Sequence, residues 1–197
     1  MFARTERLLL RPGWIEDASE VHTGMDDEAI VKNLARVPWP YGMDDARAFL
    51  SLPRDAAEPS FLISLRTGGA PRVIGGVGIS ELDGDLNLGY WIARPYWGLG
   101  FATEAAGAVL RIARAMALPP LVASHMVDNP ASGRVLRKIG FRPTGRIVKR
   151  FSLARGEDVA MVEYAESDED VCIQDNRCAF PAQDGTDPRR AIRLMAA

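Results

Sequence analysis

One stretch of the chain decides its fold, residues 86–105: Leu86-Asn-Leu-Gly-Tyr-Trp-Ile-Ala-Arg-Pro-Tyr-Trp-Gly-Leu-Gly-Phe-Ala-Thr-Glu-Ala105. Its first part predicts a strand over residues 86–92, and apolar residues at helical spacing predict a helix over residues 102–117. A short loop with two glycines joins the two elements. Because the first amides of a helix have no acceptors within it, they lie at the positive end of its dipole and suit a phosphate or pyrophosphate.

Gly98 and Gly100 let the backbone of this loop approach a ligand closely. Gly-x-Gly is a weak motif on its own, and an ordinary strand-to-helix turn would look the same. A Rossmann dinucleotide site is a further alternative, but it needs a third glycine where Thr103 stands. It also expects an acid about 20 residues further on, whereas Asp128 follows Gly100 by 28 residues. The sequence therefore disfavours a Rossmann site.

Composition narrows the class of protein. A chain of 197 residues with 47% hydrophobic residues predicts one domain with a short appendage. A net charge of -2 does not support nucleic-acid binding. No apolar run approaches the length of a membrane span, and residues 1–11 lack the apolar core of a secretory signal. Cys172 and Cys178 alone make no zinc site. We therefore expect a cytoplasmic protein with no membrane partner.

Charge marks a domain boundary near the end of the chain. Residues 166–197 contain seven acids, four arginines and two prolines, and they show no sustained period. Residues 1–165 contain 19 acids and 20 bases. This contrast predicts a folded domain over residues 1–165 and a poorly ordered acidic extension over residues 166–197.

Hydrophobic periodicity predicts the other elements. Strands are predicted at residues 7–11, 61–66, 73–80, 121–127, 146–153 and 159–165, and helices at residues 16–23, 27–34, 44–52 and 131–139. Asp83-Gly84 between two apolar runs predicts a hairpin. Asn129, Pro130 and Gly140 predict the cap, first residue and end of the last helix. Strands alternate with helices only in the second half, which predicts an α/β (α+β) domain with a mixed sheet.

Three ordered motifs resemble the GNAT N-acetyltransferases: Gly89-Tyr-Trp-Ile92, Pro95-Tyr-Trp-Gly-Leu-Gly-Phe-Ala-Thr-Glu-Ala105, and Asn129-Pro-Ala-Ser132 through Lys138-Ile-Gly-Phe141. The RimJ/RimL-like branch, which acetylates ribosomal-protein N-termini, is the closest, and Thr5-Glu-Arg-Leu-Leu-Leu-Arg-Pro12 also resembles it. The resemblance covers about residues 4–165. It implies a mixed central sheet, splayed between two parallel strands and flanked by helices, with acetyl-coenzyme A in the gap.

The resemblance also implies the cofactor-binding residues. The strand backbone at Tyr90, Trp91 and Ile92 would bond the pantetheine arm. The amides of Leu99, Gly100, Phe101, Ala102 and Thr103 would hold the pyrophosphate. Asn129 would contact the pantetheine near the sulfur, and Ser132 would lie near the thiol. The chain departs from the family at Leu99, where relatives are often polar, and at Leu136, where many members place a tyrosine that protonates the leaving thiolate.

The implied reaction is direct attack of an amine on acetyl-coenzyme A within a ternary complex. The proton of the amine would pass through water to Glu81, Asp85 or His125, and Ser132 or a nearby water would protonate the thiolate. Backbone amides near Trp91 and Ile92 would hold the oxyanion.

Structural roles remain open for each of these side chains. The structural alternative is a helix cap for Asn129, a packed residue for His125, and turn residues for Glu81 and Asp85. Glu104 is interpreted as an acid favoured by the helix dipole. Trp39 and Tyr41, on a loop stiffened by prolines, are predicted to form a wall of the substrate pocket or to pack in the core.

These observations predict an enzyme that moves acetyl from acetyl-coenzyme A to a primary amine. The favoured acceptor is a protein or peptide N-terminus. A small amine, such as an antibiotic or an amino acid, and a non-catalytic acyl-coenzyme A binding module are the alternatives. We expect no metal and no nucleic acid, and a monomer or a homodimer.

Overall fold

A computed structural model describes residues 1–53, 58–67 and 69–167 of the chain. The compact unit that they build spans Met1–Ser167. Its strands are β1 (Ala3–Arg4), β2 (Leu8–Arg11), β3 (Ser60–Leu65), β4 (Arg72–Leu82), β5 (Asp85–Ile92), β6 (Val122–Met126), β7 (Phe141–Ser152) and β8 (Glu157–Glu166). Its helices are α1 (Ala18–Met25), α2 (Glu28–Val31), α3 (Met43–Ser51), α4 (Phe101–Ala115) and α5 (Pro130–Lys138). None of these helices is long and apolar enough to cross a membrane.

The strands form one sheet in the order β1-β2-β3-β4-β5-β6-β8-β7. Every neighbouring pair is antiparallel except β5 and β6, which are parallel. This single parallel pair confirms the prediction of a mixed sheet. It also lies where the chain leaves the sheet through α4 and returns, as a parallel connection requires.

The sheet is splayed at its parallel pair. β4 and β5 pair over eight consecutive positions, but β5 and β6 pair at one register only, Asn87 with Val122. Beyond that pair the strands part toward Ile92 and Met126. A gap therefore opens through the middle of the sheet on the carboxyl-terminal side of both strands.

The two faces of the sheet bury different helices. Most of the apolar residues predicted to share one face of α4 are buried against β2, β3, β4 and β5: Ala105, Ala106, Val109, Leu110 and Ala113. Of the other two, Ala102 is partly buried, and Met116 caps the end of the helix. Leu136 of α5 joins the same core. On the opposite face α1, α2 and α3 pack over Leu62 and Val73. The gap therefore lies between two hydrophobic layers.

The hairpin between β4 and β5 has the predicted two-residue turn. Asp83 and Gly84 both have positive φ, 57° and 87°, as a type I′ turn requires. Leu82 and Asp85 are directly opposite each other. A turn of this length fixes the register of the hairpin, and the register decides which β5 backbone groups face the gap.

Three elements differ from the sequence predictions. β1 was not predicted, since two residues carry no period. The helix predicted over residues 27–34 is only Glu28–Val31, because the chain then tightens into three-residue turns. β7 begins at Phe141 rather than at residue 146. Its pairing with β8 shifts register between Pro143 and Ile147, and that irregularity concealed the start of the strand.

The folded unit extends slightly beyond the predicted domain boundary at residue 165. Glu166 was assigned to the extension, but it is the last residue of β8. Its backbone N–H donates to Leu121 O at 3.0 Å, and its carboxylate accepts from Arg114 Nε at 2.8 Å and from the Leu121 amide at 3.2 Å. Apart from Glu166 and Ser167, the predicted extension lies outside the described residues.

We therefore predict different stabilities for two shortened chains. A chain that ends at Ala165 loses the Glu166 bonds, whereas one that ends at Ser167 keeps them. The shorter chain should be less stable by about 2 kcal/mol, the value of two or three net hydrogen bonds. Its melting temperature should be lower by about 4–8 °C. Equal melting temperatures, measured by circular dichroism, would show that Glu166 does not belong to the fold.

Candidate active site

Alternate residues of β5 turn their backbone groups to the gap. The turn makes Leu82 and Asp85 a hydrogen-bonded pair, and Ala93 N donates to Ile74 O at 2.8 Å at the other end of the hairpin. Because these directions alternate along an antiparallel ladder, the backbone N–H and C=O groups of Gly89 and Trp91 point to β4. Those of Tyr90 and Ile92 point into the gap.

The prediction that Trp91 offers its backbone to a ligand is therefore wrong. Its backbone is paired with Gly76 of β4, and its indole packs against Gly24 and Gly76 on the α1 face. Tyr90 and Ile92 remain as the predicted β5 residues whose backbone groups are open to a ligand. The carbonyl of Ile92 already accepts from Trp97 Nε1 at 2.6 Å, so its N–H is the group left to a ligand.

β6 forms the second wall of the gap by the same alternation. Glu166 N donates to Leu121 O, and Val127 N donates to Ala160 O. The backbone groups of the odd-numbered residues of β6 therefore point to β8. The backbone groups of Ser124 and Met126 consequently point into the gap. Met126 O accepts from Asn129 N at 2.8 Å, whereas Ser124 presents both backbone groups. Ser124 was not predicted, because its orientation depends on the register with β8.

The loop before α4 has the conformation that its glycines allow. Gly98 and Gly100 have φ of 77° and 82°, in the left-handed region that side chains disfavour. Gly100 caps α4, and the first helical bond is Glu104 N to Gly100 O at 3.1 Å. The amides of Phe101, Ala102 and Thr103 therefore point out of the helix end.

A cleft of about 1920 Å³ connects these parts. Its lining includes the gap, the glycine loop, the start of α4 and the start of α5. Asn129 caps α5, its Oδ1 accepting from Ser132 N at 3.4 Å, and Pro130 is the first helical residue. The cap predicted for Asn129 is confirmed. Its contact with a cofactor stays a prediction.

A tyrosine and a serine meet across the cleft. Tyr90 Oη lies 2.8 Å from Ser132 Oγ and donates to Ser132 O at 3.2 Å. Burial raises the pKa of Tyr90 to about 12, so the phenol is protonated at neutral pH. From the sequence, a role in binding the pantetheine arm was expected for the backbone of Tyr90 and none for its side chain. The period of the strand, which puts Tyr90 on the face of α4 and α5, could have revealed its side chain.

Comparison with known proteins identifies the fold and its chemistry. Residues 7–142 match the acetyltransferase (GNAT) domain family. The chain belongs to the GNAT family. It is an acetyl-coenzyme A-dependent N-acetyltransferase, which sets aside the non-catalytic alternative.

Several relatives support this assignment. The uncharacterized N-acetyltransferase YnaD of Bacillus subtilis is 30% identical over 152 residues, which cover 74% of this chain and 85% of YnaD. An uncharacterized N-acetyltransferase of Schizosaccharomyces pombe is 32% identical over 82 residues, 40% of this chain and 44% of that protein.

Two solved structures share the fold. A GNAT-family acetyltransferase from Bacillus anthracis has a TM-score of 0.72 and 27% identity, covering 86% of this chain and 99% of its own. RimL, a ribosomal L7/L12 alpha-N-protein acetyltransferase solved with coenzyme A, has a TM-score of 0.68 and 18% identity, covering 84% and 97%. At that identity RimL shows the fold alone. The comparisons confirm the splayed GNAT sheet and leave its branch open.

His125 is held as a packed residue in this GNAT domain. Its Nδ1 donates to Met126 O at 2.8 Å, and its ring centre lies 5.4 Å from that of Tyr164. A Cβ on Gly133 would lie 2.5 Å from His125 Nε2, so this nitrogen faces the backbone of α5. The packed alternative describes His125 well, and a catalytic role for it stays a prediction.

Glu81 and Asp85 lie on the hairpin at the closed side of the splay. Glu81 is opposite Leu86, before the strands part, and both carboxylates are exposed. In the described part of the chain neither contacts Tyr90 or Ser132. A structural role beside the Asp83-Gly84 turn accounts for the positions of Glu81 and Asp85.

The two predicted pocket aromatics have different surroundings. Tyr41 is buried among α1, α2 and α3 and lines the wide side of the cleft. Burial, helped by the charge of Asp45, raises its pKa to about 12. Trp39 is 36% exposed and does not line the cleft as the described residues define it. Tyr41 thus lies where a pocket wall was predicted and Trp39 does not, and a contact with substrate stays a prediction for both.

Proposed function

We propose that this enzyme acetylates the α-amine at the N-terminus of a protein or peptide, by direct attack within a ternary complex. The observation that carries the proposal is the Tyr90–Ser132 pair, which stands in the cleft without a carboxylate partner among the described contacts. The size of the cleft supports a ternary complex. About 1920 Å³ exceeds the roughly 300–1,000 Å³ of a site for one small ligand.

The donor is assigned to the gap and the glycine loop. In this assignment the Tyr90 and Ser124 backbones bond the pantetheine arm, and the Ile92 N–H faces the thioester end of the arm. Amides from Leu99 to Thr103 hold the diphosphate, since the end of a helix of 15 residues attracts an anion. Asn129 contacts the arm near the sulfur while it caps α5.

The chemistry follows from where charge develops. The neutral amine attacks the thioester carbon, and the oxyanion receives the Ile92 N–H, because the Trp91 N–H is paired with β4. When the tetrahedral intermediate collapses, the carbon–sulfur bond breaks and its electron pair goes to sulfur. In the reacting complex the single Tyr90 O–H donates to Ser132 Oγ rather than to Ser132 O, which leaves the Ser132 Oγ–H to donate a hydrogen bond to that sulfur. The proton of the amine leaves to water.

The Tyr90–Ser132 pair has no carboxylate bonded to it, and Glu81, which lines the same cleft, lies at the closed side of the splay. This arrangement favours an α-amine over a lysine side chain. The pKa of an α-amine is about 7.7–8.0, so a large fraction is already neutral near pH 8. The pKa of lysine is about 10.4, and such an amine needs a base to be useful at that pH. RimL, which shares this fold, is described as an alpha-N-protein acetyltransferase, and that description agrees with the proposal.

The test compares acceptors of matched composition. Release of free thiol from acetyl-coenzyme A is measured with a peptide that has a free α-amine, with the same peptide blocked at its N-terminus but carrying a lysine, and with small amines that include amino acids. We expect turnover of the first peptide, with kcat/KM rising through about pH 8 as its α-amine loses its proton. Faster turnover of the lysine peptide or of a small amine would contradict the proposal.

A second prediction concerns the thiolate. Ser132→Ala should lower kcat by about tenfold or more, because the sulfur loses its donor, and should leave the KM for acetyl-coenzyme A nearly unchanged. Tyr90→Phe keeps the ring in the core and removes only the hydroxyl. It should lower kcat by about fivefold, the value of one neutral hydrogen bond.

The double variant tests whether the two hydroxyls act together. If Tyr90 acts through Ser132, then Tyr90→Phe should cost nothing further in the Ser132→Ala background. Independent, multiplying losses would contradict that account of Tyr90.

A further inference from the structure

Glu104, in the first turn of α4, gathers the amino-terminal segment of the chain. Its Oε1 accepts from Thr5 Oγ1 at 2.6 Å and from the Arg7 backbone N–H at 2.9 Å. Its Oε2 accepts from Arg7 Nε and Arg7 Nη2, both at 2.7 Å. Burial opposes the ionisation of Glu104, but these hydrogen bonds and the Arg7 charge together lower its pKa. The Glu104 carboxylate is therefore ionised, and both of its oxygens accept hydrogen bonds.

The Arg7 guanidinium reaches three consecutive residues at the glycine loop. Its Nη1 donates to Leu99 O at 3.0 Å. Its carbon lies 4.4 Å from the centre of the Phe101 ring, within cation–π range. Its Nη2 would lie 3.5 Å from a Cβ on Gly100. Arg7 thus ties the amino-terminal segment to the glycine loop and to the first residue of α4.

The charge of Glu104 would work against the loop if it were unpaired. A carboxylate in the first turn of α4 lies at the helix end assigned to the diphosphate, and like charges repel. Arg7 places a guanidinium between this carboxylate and the loop. The pair is only partly exposed, with 17% of the Glu104 side chain accessible, so water screens it incompletely.

We propose that Arg7 is a positioning residue for the diphosphate of acetyl-coenzyme A: it holds the loop in its binding conformation and cancels the charge of Glu104. The inference rests on the proposed placement of the diphosphate at this loop. It gives the amino-terminal Thr5-Glu-Arg7 segment a role in donor binding, 97 residues away from Glu104 in sequence.

The side chain of Arg7 can be changed without losing its turn. Arg7 O accepts from Arg66 N at 2.9 Å, and Arg66 Nη1 donates to Thr5 O and Glu6 O. Leu8 and Leu10 are fully buried beside it. None of these contacts uses the Arg7 side chain, so they persist in Arg7→Met.

The experiment compares two acetyl donors, acetyl-coenzyme A and S-acetylpantetheine, which has no diphosphate. Arg7→Met should raise the KM for acetyl-coenzyme A by about tenfold with kcat changed less than about twofold, the loss expected for hydrogen bonds to a charged partner. Its kcat/KM with S-acetylpantetheine should stay at the wild-type value. Arg7→Lys keeps the charge without the fork, so its KM should rise by about threefold.

Two further variants separate charge from position. Glu104→Gln in the Arg7→Met background removes the exposed repulsive charge and should recover about threefold of the lost affinity. Arg66→Met is the matched control, since Arg66 holds the same turn without touching the loop. It should leave the KM for both donors within about twofold of wild type.

Leu99→Asp, beside Leu99→Asn, tests the diphosphate site itself, because the Leu99 side chain is exposed between the two glycines. The aspartate should raise the KM for acetyl-coenzyme A at least tenfold more than the asparagine does. If it does and Arg7→Met changes nothing, the role of Arg7 is overturned and the proposed function stands. If both changes are silent, the diphosphate lies elsewhere, and the role of Arg7 falls together with the proposed placement of the donor. An equal loss with both donors would reduce Arg7 to a structural residue.

Discussion

The incomplete pairing of β5 and β6 is the constraint on which the rest of the structure depends. Backbone groups inside a protein need partners, and a sheet normally supplies them strand by strand. Here the hairpin turn fixes one edge of β5 on β4, and β8 fixes one edge of β6. The two inner edges meet at Asn87 and Val122 and then part. The unpaired groups that remain are a template for an extended ligand.

Everything near the gap is arranged around these free edges. The starts of α4 and α5 line the same cleft, because each helix is connected to one of the two strands that form its walls. Tyr90, on one wall, reaches Ser132 at the start of α5. The hydroxyl that many GNAT enzymes take from the helix after the asparagine is replaced at that position by Leu136, which is buried in the core.

Local features of the fold could be predicted from the sequence. The Asp83-Gly84 turn, the buried stripe of α4 and the cap of α5 at Asn129 each depend on a few neighbouring residues, and the structure has all three. The orientation of Trp91 could also have been worked out, since a two-residue turn fixes which β5 residues face β4.

Contacts between distant segments could not be predicted in this way. Tyr90 and Ser132 are 42 residues apart, and Arg7 and Glu104 are 97 apart. Neither contact leaves a period or a motif in one chain. Trp39 and Tyr41 are two residues apart, yet one is half-exposed and the other buried, because packing against α1 and α3 decides between them.

The central claim is that the gap between β5 and β6 holds the arm of acetyl-coenzyme A. Amide hydrogen exchange, followed residue by residue by NMR with and without saturating coenzyme A, tests it most directly. The account predicts that coenzyme A slows exchange at Tyr90 and Ile92, whose amides face the gap. Exchange at Gly89 and Trp91, whose amides are already paired with β4, should be slow in both states. Unchanged rates at Tyr90 and Ile92 in the saturated enzyme would contradict the account.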